Sequence, residues 1–384
     1  MKKTILLSVI ALAVIPAIAQ QRQQDRANKE MLTFPVVSTR TEIVLPDVNG
    51  YKVIKADFHV HTIYSDGQVT SSYRIIEGWQ DGLDAIALTD HIEVRPNVSS
   101  YIDYLDRGIK KQETKKGEIT VNLNTSTESG KSRASKLGIT LIPGTEITRN
   151  PVEIGHFNAL FTTDNNLIPN PDPLQAVRNA KAQGAIVQIN HPGWARVNND
   201  FTETAQQAIK EGLIDGVEVF NSYEFYPNSI ERAIENGFYV SCGSDMHPVS
   251  HDKYGRYGMF RDMTLVLAKD SSLESIREAL EHQRTLAYAY GDIAGSEQLL
   301  KDFFKAAVSF EVVYTDSNGG KHVKITNNSS FPYILTLPGK SVDITLDGFT
   351  SVISYIKGNS IDITVRNMWF GDQKHPSLSI VPAE

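Results

Sequence analysis

The stretch Ala56-Asp57-Phe58-His59-Val60-His61, continued by Thr62-Ile63-Tyr64-Ser65-Asp66-Gly67, leaves this chain few choices. An apolar run with Val53, Ile54 and Ala56 leads into it and reads as a buried strand, on which side chains alternate faces every two residues. Asp57, His59 and His61 therefore share one face and Phe58 and Val60 the other. That pattern suits a strand covered by helices outside and ending in polar chemistry inside. Two imidazoles at i and i+2 can grip one cation, and the Ser65-Asp66-Gly67 turn lets a carboxylate fold back toward them. An isolated H-x-H is more simply a pair of surface histidines at a strand end. Repetition of the pattern downstream changes that reading.

From about residue 50, strand-like runs at 53–60, 84–89, 139–147, 156–161, 185–190, 216–220, 238–243 and 263–268 alternate with helical patterns at 71–81, 126–137, 173–183, 203–212, 228–236 and 272–283. Pro173 near a first turn, Gly184 past an end, and Ser272 ahead of Leu273, Ile276 and Leu280 are boundary signals. Such alternation predicts parallel strands with crossover helices, hence an α/β barrel. The Thr148–Ile154 connection is too short for a helix, so the barrel is irregular there. Residues 97–125, with Lys110, Lys111, Lys115 and Lys116, read as an insertion or long loop over one end. After about residue 300 the texture changes to short Val/Ile/Thr-rich runs at 307–315, 321–327, 332–337, 341–347, 350–356 and 360–366, separated by turn chemistry such as Asp316-Ser317-Asn318-Gly319-Gly320 and Pro338-Gly339. These predict a small C-terminal β-sandwich over 300–384, behind a barrel domain over 50–299.

Strand ends carry the chemistry. The first gives His59, His61 and Asp66; later ones give Asp90-His91, Gly144-Thr145-Glu146, Gly155-His156, Asn190-His191-Pro192 and Gly243-Ser244-Asp245-Met246-His247. In a parallel barrel, residues at strand ends and in the loops after them converge. Six imidazoles and three carboxylates converging demand a counter-charge, and they exceed what one ion needs, so two or three divalent cations are implied. Without thiolate ligands, Zn²⁺, Mn²⁺ and Fe²⁺ all suit the set. Such ions, a few Å apart, lower the pKa of a bridging water and clamp the non-reacting oxygens of a phosphoryl group.

The H-x-H-T-x-x-S-D-G opening, the T-D-H, G-x-E, G-H and N-H-P motifs and the final G-S-D-x-H, in that order over residues 51–295, resemble the polymerase and histidinol phosphatase (PHP) superfamily of metal-dependent phosphoesterases. The resemblance implies a distorted (β/α)7 barrel with up to three metals at the strand ends, held by His59, His61, Asp66, His91, Glu146, His156, His191, Asp245 and His247. It also implies that Glu146 bridges two ions and that a third sits near Asp66 and His191. The C-terminal segment more weakly resembles the β domain of secreted bacterial members acting on organophosphate diesters.

Other polar residues are read individually. Asp57 lies deeper than His59 and is expected to hydrogen-bond a ligand; Asp90 is read as orienting or structural. Arg149, just after Glu146, is a candidate for binding a phosphate oxygen and is grouped with the catalytic set His59, His61, Asp66, Glu146, Asp245 and His247. Trp194, Asn221, His251 and Tyr254 are weaker substrate-contact candidates, and Arg95 and Lys253 are further cations near the motifs. His282, His322 and His375 have no motif context.

Residues 2–19 set the context. Lys2 and Lys3 precede an apolar run from Ile5 to Ile18, and Ala17-Ile18-Ala19 supplies a small-x-small cleavage pattern, so residues 1–19 read as a signal peptide and 20–49 as a leader. A membrane anchor fits less well, because the run contains Pro16 and falls short of a bilayer span. The single cysteine, Cys242, excludes an internal disulfide and sits in an apolar strand as a buried thiol. A formal charge of −7 gives no global basic field for nucleic acid or anionic membrane. The leading expectation is a periplasmic or secreted phosphoesterase acting on small phosphate esters, diesters before monoesters, with no nucleic-acid or membrane partner. The alternatives are a phosphomonoesterase, an exonuclease-type relative, an amidohydrolase-type deaminase or amidase, and a metal-stabilised binding module without catalysis.

Overall fold

The computed structural model describes residues 39–97, 122–337 and 342–384, with the backbone of the short strands Gln112–Glu113 and Ile119–Thr120. The expected signal peptide and most of the leader, most of the 97–125 insertion and the Pro338-Gly339 turn lie outside these residues. Eleven elements of one curled sheet and its helices place the site: β1 (Lys52–Asp57), α1 (Ser71–Gln80), β2 (Ala85–Leu88), α2 (Thr125–Leu137), β3 (Thr140–Ile147), β4 (Phe157–Leu160), α3 (Pro173–Ala182), β5 (Ile186–Ile189), α4 (Glu203–Lys210), β6 (Gly216–Asn221) and its hairpin partner β7 (Glu224–Phe225). They continue into α5 (Pro227–Glu235), β8 (Tyr239–Gly243), α6 (Ser250–Lys253), β9 (Met263–Ala268), α7 (Leu273–Glu281), β10 (Thr285–Ala289), β11 (Asp292–Ala294) and α8 (Glu297–Ala307). Helix starts follow the expected chemistry: Asp172 caps Leu174 ahead of Pro173, and the Ser272 hydroxyl accepts from Ser275.

Strand order is β8-β6-β5-β4-β3-β2-β1-β9-β10-β11. The pairs β1/β2, β2/β3, β5/β6 and β6/β8 are parallel, as the alternation predicts. β4 runs antiparallel to both neighbours, the consequence of the short Thr148–Gly155 connection, which holds only a single 3-10 turn. That reversal brings the start of β4, and His156 with it, to the end of the sheet where the other strands finish. Beyond β1 the sheet turns antiparallel through β9, β10 and β11. The ring closes only just past the ends of β1 and β8: Val60 bridges Met246, His61 N–H donates to the Met246 carbonyl at 3.0 Å, and Asp245 N–H donates to the His59 carbonyl at 2.9 Å. Closure is therefore made by the ligand-bearing segments themselves.

Buried apolar side chains on both faces hold this layer, including Phe58, Ile86, Val187, Val217, Val219 and Leu265. After β11, α8 buries Leu300, Phe303, Phe304 and Ala307. The expected division at residue 299/300 thus falls inside a helix. Two small antiparallel sheets follow, one of three strands (Val308–Thr315, Lys321–Asn327, Ser351–Ile356) and one of four (Ile344–Leu346, Tyr333–Thr336, Ile361–Val365, Ser377–Ile380). One apolar cluster runs from α1 and β2 through α8 into these sheets, and Tyr288 of β10 stacks on Phe331 at 4.0 Å. The strand Met368–Trp369 pairs with β11 and joins the barrel sheet. The architecture is a distorted α/β barrel carrying a small β region packed on its flank. Among the described residues no helix is long and apolar enough to cross a membrane.

Candidate metal centre

All nine ligand candidates meet at the closed end of the ring, in overlapping groups: His61, Asp66, His91 and His247; His59, His191 and Asp245; His59, His61 and Glu146; Glu146, His156 and His191. Glu146 stands at the middle, fully buried. Its Oε1 lies 3.3 Å from His156 Nδ1 and 3.6 Å from His191 Nε2. Its Oε2 lies 2.6 Å from His91 Nδ1, 3.5 Å from His59 Nε2 and 3.7 Å from His61 Nε2. Asp245 Oδ1 is 3.0 Å from His61 Nε2 and 3.4 Å from His59 Nε2. On the other flank Asp66 faces His247 Nε2 at 3.2 Å and His91 Nε2 at 3.4 Å. His191 and Asp245 hold left-handed backbone, φ 24° and 50°, which non-glycine residues keep only where the surroundings impose it.

Burial alone would raise the Glu146 and Asp245 carboxyls; the surrounding imidazoles, His91 and His59 foremost, hold both well below the usual range. Burial would likewise suppress His91, yet Glu146 and Asp66 lift it to about 10. Burial, helped by the neighbouring His91 and His247, presses His61 down to about 4. Buried donors and acceptors are normally paired. Here His59 Nε2, His61 Nε2, His156 Nδ1, Asp66 Oδ1 and Glu146 Oε2 have no hydrogen-bond partner although all are buried. Five orphaned ligand-type atoms aimed at one another fit a set built to surround divalent cations. The nitrogen and carboxylate donors, with no thiolate, suit Zn²⁺, Mn²⁺ or Fe²⁺.

Residues behind the ligands fix them. Glu218, at the centre of β6 and absent from the motif set, accepts from His59 Nδ1 at 2.8 Å and from His191 N–H at 2.8 Å. The first bond directs His59 Nε2 into the cluster. Gly243 is required beside it: a Cβ there would lie 2.1 Å from Glu218 Oε1 and 2.7 Å from His59 Cβ. Asp57 does not touch a ligand ring. It accepts from the backbone N–H of His59 and of Ser244 and pairs with the buried Arg261, whose Nε lies at 2.9 Å. Asp90 accepts from Thr62 N–H, Ser65 Oγ and Ser126 Oγ, so it anchors the Thr62–Ser65 turn.

Arg149 is placed differently from expectation. It pairs with Glu93 at 3.1 Å, donates to the Asn170 carbonyl and does not line the cavity above the cluster. Arg95 donates to the Tyr64 carbonyl, and Lys253 is buried beside Asp262. Tyr254 is buried and donates to Asp262, and His251 is exposed outside the cavity. His322 and His375 lie outside the ligand groups. Cys242 is buried, as expected.

The cavity over the ligands measures about 540 Å³ and is lined by Asp66, His91, Glu146, His156, His191, Asp245 and His247 together with Val94, Thr148, Asn150, Trp194, Asn221, Ser222, Tyr223 and Glu224. No family model and no curated protein matches this chain. Among solved structures, a two-domain protein from Bacteroides vulgatus containing a predicted PHP-like metal-dependent phosphoesterase is similar, with 34% identity, 89% of this chain and 98% of that chain covered, and a TM-score of 0.79. This chain belongs to the PHP-like metal-dependent phosphoesterases. More distant from this PHP-like phosphoesterase are a protein from Bifidobacterium adolescentis assigned as a metal-dependent phosphoesterase and a lesion-specific endonuclease from Pyrococcus furiosus. The first shows 16% identity, 60% and 96% coverage and a TM-score of 0.38. The second shows 14% identity, 70% and 64% coverage and a TM-score of 0.38. Family membership makes the enzyme a metal-dependent hydrolase of phosphoric ester bonds, and the nine converging residues are its candidate metal ligands.

Proposed function

We propose that this PHP-like phosphoesterase is an exported enzyme hydrolysing small phosphodiesters, with two or three divalent ions held by His59, His61, Asp66, His91, Glu146, His156, His191, Asp245 and His247. One observation carries the diester preference: among the described residues the cavity lining contains four carboxylates and four imidazoles but no Lys or Arg. A doubly charged monoester ordinarily recruits convergent Arg or Lys side chains, whereas a singly charged diester needs little beyond the metals. Arg149, the sequence-based candidate for that help, is committed to Glu93 and Asn170. The formal charge of −7 and the absence of Lys or Arg from the described lining offer a polyanionic strand no basic track, which supports small esters over nucleic acid.

Within the site, Glu146 presents its two oxygens to different ligand groups, which suits it to bridge. Glu218 orients His59, and Asp57 and Asp90 hold the turns carrying His59 and Asp66. Divalent ions bound there supply Lewis-acid polarisation of the phosphoryl oxygens and acidify a water nucleophile. Export rests on Lys2, Lys3 and the Ala17-Ile18-Ala19 pattern; mass spectrometry of native protein should find Gln20 at the N-terminus, and an intact Met1–Ala19 segment would refute it.

Elemental analysis of active protein should return two to three ions per chain, fewer in His59→Ala and Asp245→Asn. On a matched panel at equal metal loading, diesters should show the higher kcat/KM. Monoester values about tenfold above those of the diesters would overturn the preference, and full activity after chelation would overturn the metal reading.

A further inference from the structure

Tyr223 lines the cavity yet is 75% exposed, and it is held in place by means other than burial. It occupies the second position of the two-residue turn Ser222-Tyr223 between β6 and β7, where Asn221 pairs with Glu224. Ser222 takes φ 51°, the positive value that the first position of a two-residue hairpin turn requires. The turn is secured by Lys253. Its Nζ donates to Ser222 Oγ at 2.9 Å, lies 4.7 Å from the centre of the Tyr223 ring and reaches the Ser244 carbonyl at 3.4 Å, next to Asp245. Tyr290 adds a nearly parallel ring, 5.7 Å away and inclined by 19°. A buried lysine thus ties an open aromatic surface to the backbone beside a candidate metal ligand. The next residue along, Glu224, also lines the cavity and adds negative charge there.

We propose that Tyr223 is the binding platform for one ester substituent, and that this substituent is a planar, uncharged aromatic ring. Stacking on the exposed ring supplies the recognition, and the carboxylate of Glu224, the one carboxylate of the described lining outside the candidate ligand set, discriminates against a second anionic group. The proposal rests on the phosphodiesterase reading above and adds to it the chemical class of the group beyond the phosphorus.

The test uses the metal-loaded full chain and two substrates, methyl benzyl phosphate and methyl cyclohexylmethyl phosphate, followed by phosphorus NMR. Both carry one negative charge and differ in the planarity of the ring. Calorimetric Kd values for monomethyl benzylphosphonate and its cyclohexylmethyl counterpart accompany them. We expect the aromatic member of each pair to be favoured by about fivefold, the contribution of one aromatic stack. Tyr223→Ala should bring both ratios close to unity, while Tyr223→Phe should preserve them. Ratios unchanged in Tyr223→Ala, or abolished instead by Trp194→Ala, would overturn the platform and leave the hydrolytic reading intact. If neither ester were hydrolysed while phosphonate binding kept its Tyr223-dependent preference, the platform would stand and the diesterase reading would fall.

Discussion

Glu218→Gln tests the idea that a carboxylate outside the ligand set controls the metal centre. Glu218 is fully buried, and its two oxygens serve four donors. Oε1 accepts from His59 Nδ1 at 2.8 Å and Gln188 Nε2 at 3.2 Å, and Oε2 accepts from His191 N–H at 2.8 Å and Asn221 Nδ2 at 3.0 Å. Glutamine keeps the shape but replaces one oxygen with an NH₂ group, which cannot accept. The amide nitrogen cannot face His191, whose backbone N–H has no alternative proton arrangement, so it turns to His59. There the imidazole can adapt by moving its proton to Nε2, the atom that lies 3.5 Å from Glu146 and 3.4 Å from Asp245. The Gln188 bond is lost and three charge-assisted bonds become neutral, which together cost about 3 kcal/mol in the metal-free protein. Metal affinity should fall about 10- to 100-fold, because the ligand atom of His59 now carries a proton. Urea unfolding of metal-free protein measures the first quantity and titration in a chelator buffer the second. A stability loss below about 1 kcal/mol together with affinity within twofold of the wild type would show that Glu218 does not position His59.

Two further predictions concern groups away from the ligands. Arg261→Met should destabilise by about 3 to 5 kcal/mol in urea unfolding, because Asp57 would be left buried without the guanidinium that lies 2.8 Å from it; a loss under about 1 kcal/mol would refute this. Burial lifts the Asp262 carboxyl to about 7, against an unfolded value near 3.9, so the folded chain holds an extra proton between those pH values. Its contribution is complete below the unfolded value and is lost as pH rises through about 7. Asp262→Asn should therefore gain stability relative to the wild type as pH rises across that window, by at most about 1.4 kcal/mol per pH unit, and parallel stability–pH curves would refute the assignment.

Much of this architecture is legible in the chain because its signals are local. The alternation of apolar runs with capped amphipathic segments marks β1 to β6, β8 and β9 and every helix from α1 to α7 except the four-residue α6, while the two-residue β7 carries no such signal; the short Thr148–Ile154 link announces the irregularity that the structure resolves as a reversed β4. The antiparallel continuation through β10 and β11 is less legible. Its strands are short, and what defines them is pairing with β9 and with Met368–Trp369, about eighty residues away. Position 300 reads as a boundary because composition changes there, while packing makes α8 continuous across it. Arg149 shows the limit on the site side: adjacency to Glu146 in sequence suggested a cation over the metals, but the competing carboxylate Glu93 comes from the loop after β2.

The carboxylates divide by what they accept, and that division explains why ligands are easier to read than their supports. Asp57 accepts from His59 N–H, Asp90 from Thr62 N–H, Glu93 from Thr148 N–H and Glu218 from His191 N–H. Each anchors the backbone of a segment that carries, or directly adjoins, a candidate ligand. An unpaired buried N–H costs free energy, so a buried carboxylate that accepts from it fixes such a segment more firmly than packing alone. In sequence these anchors use the same residue types as the ligands, and Asp90 even adjoins His91. Strand parity separates some of them. Glu218 lies between Val217 and Val219 in a fully buried strand, the position of an inward-facing charge with no solvent to reach. A lone glutamate at such a place requires buried partners, and here they are the His59 imidazole, the His191 backbone N–H and the side-chain amides of Gln188 and Asn221.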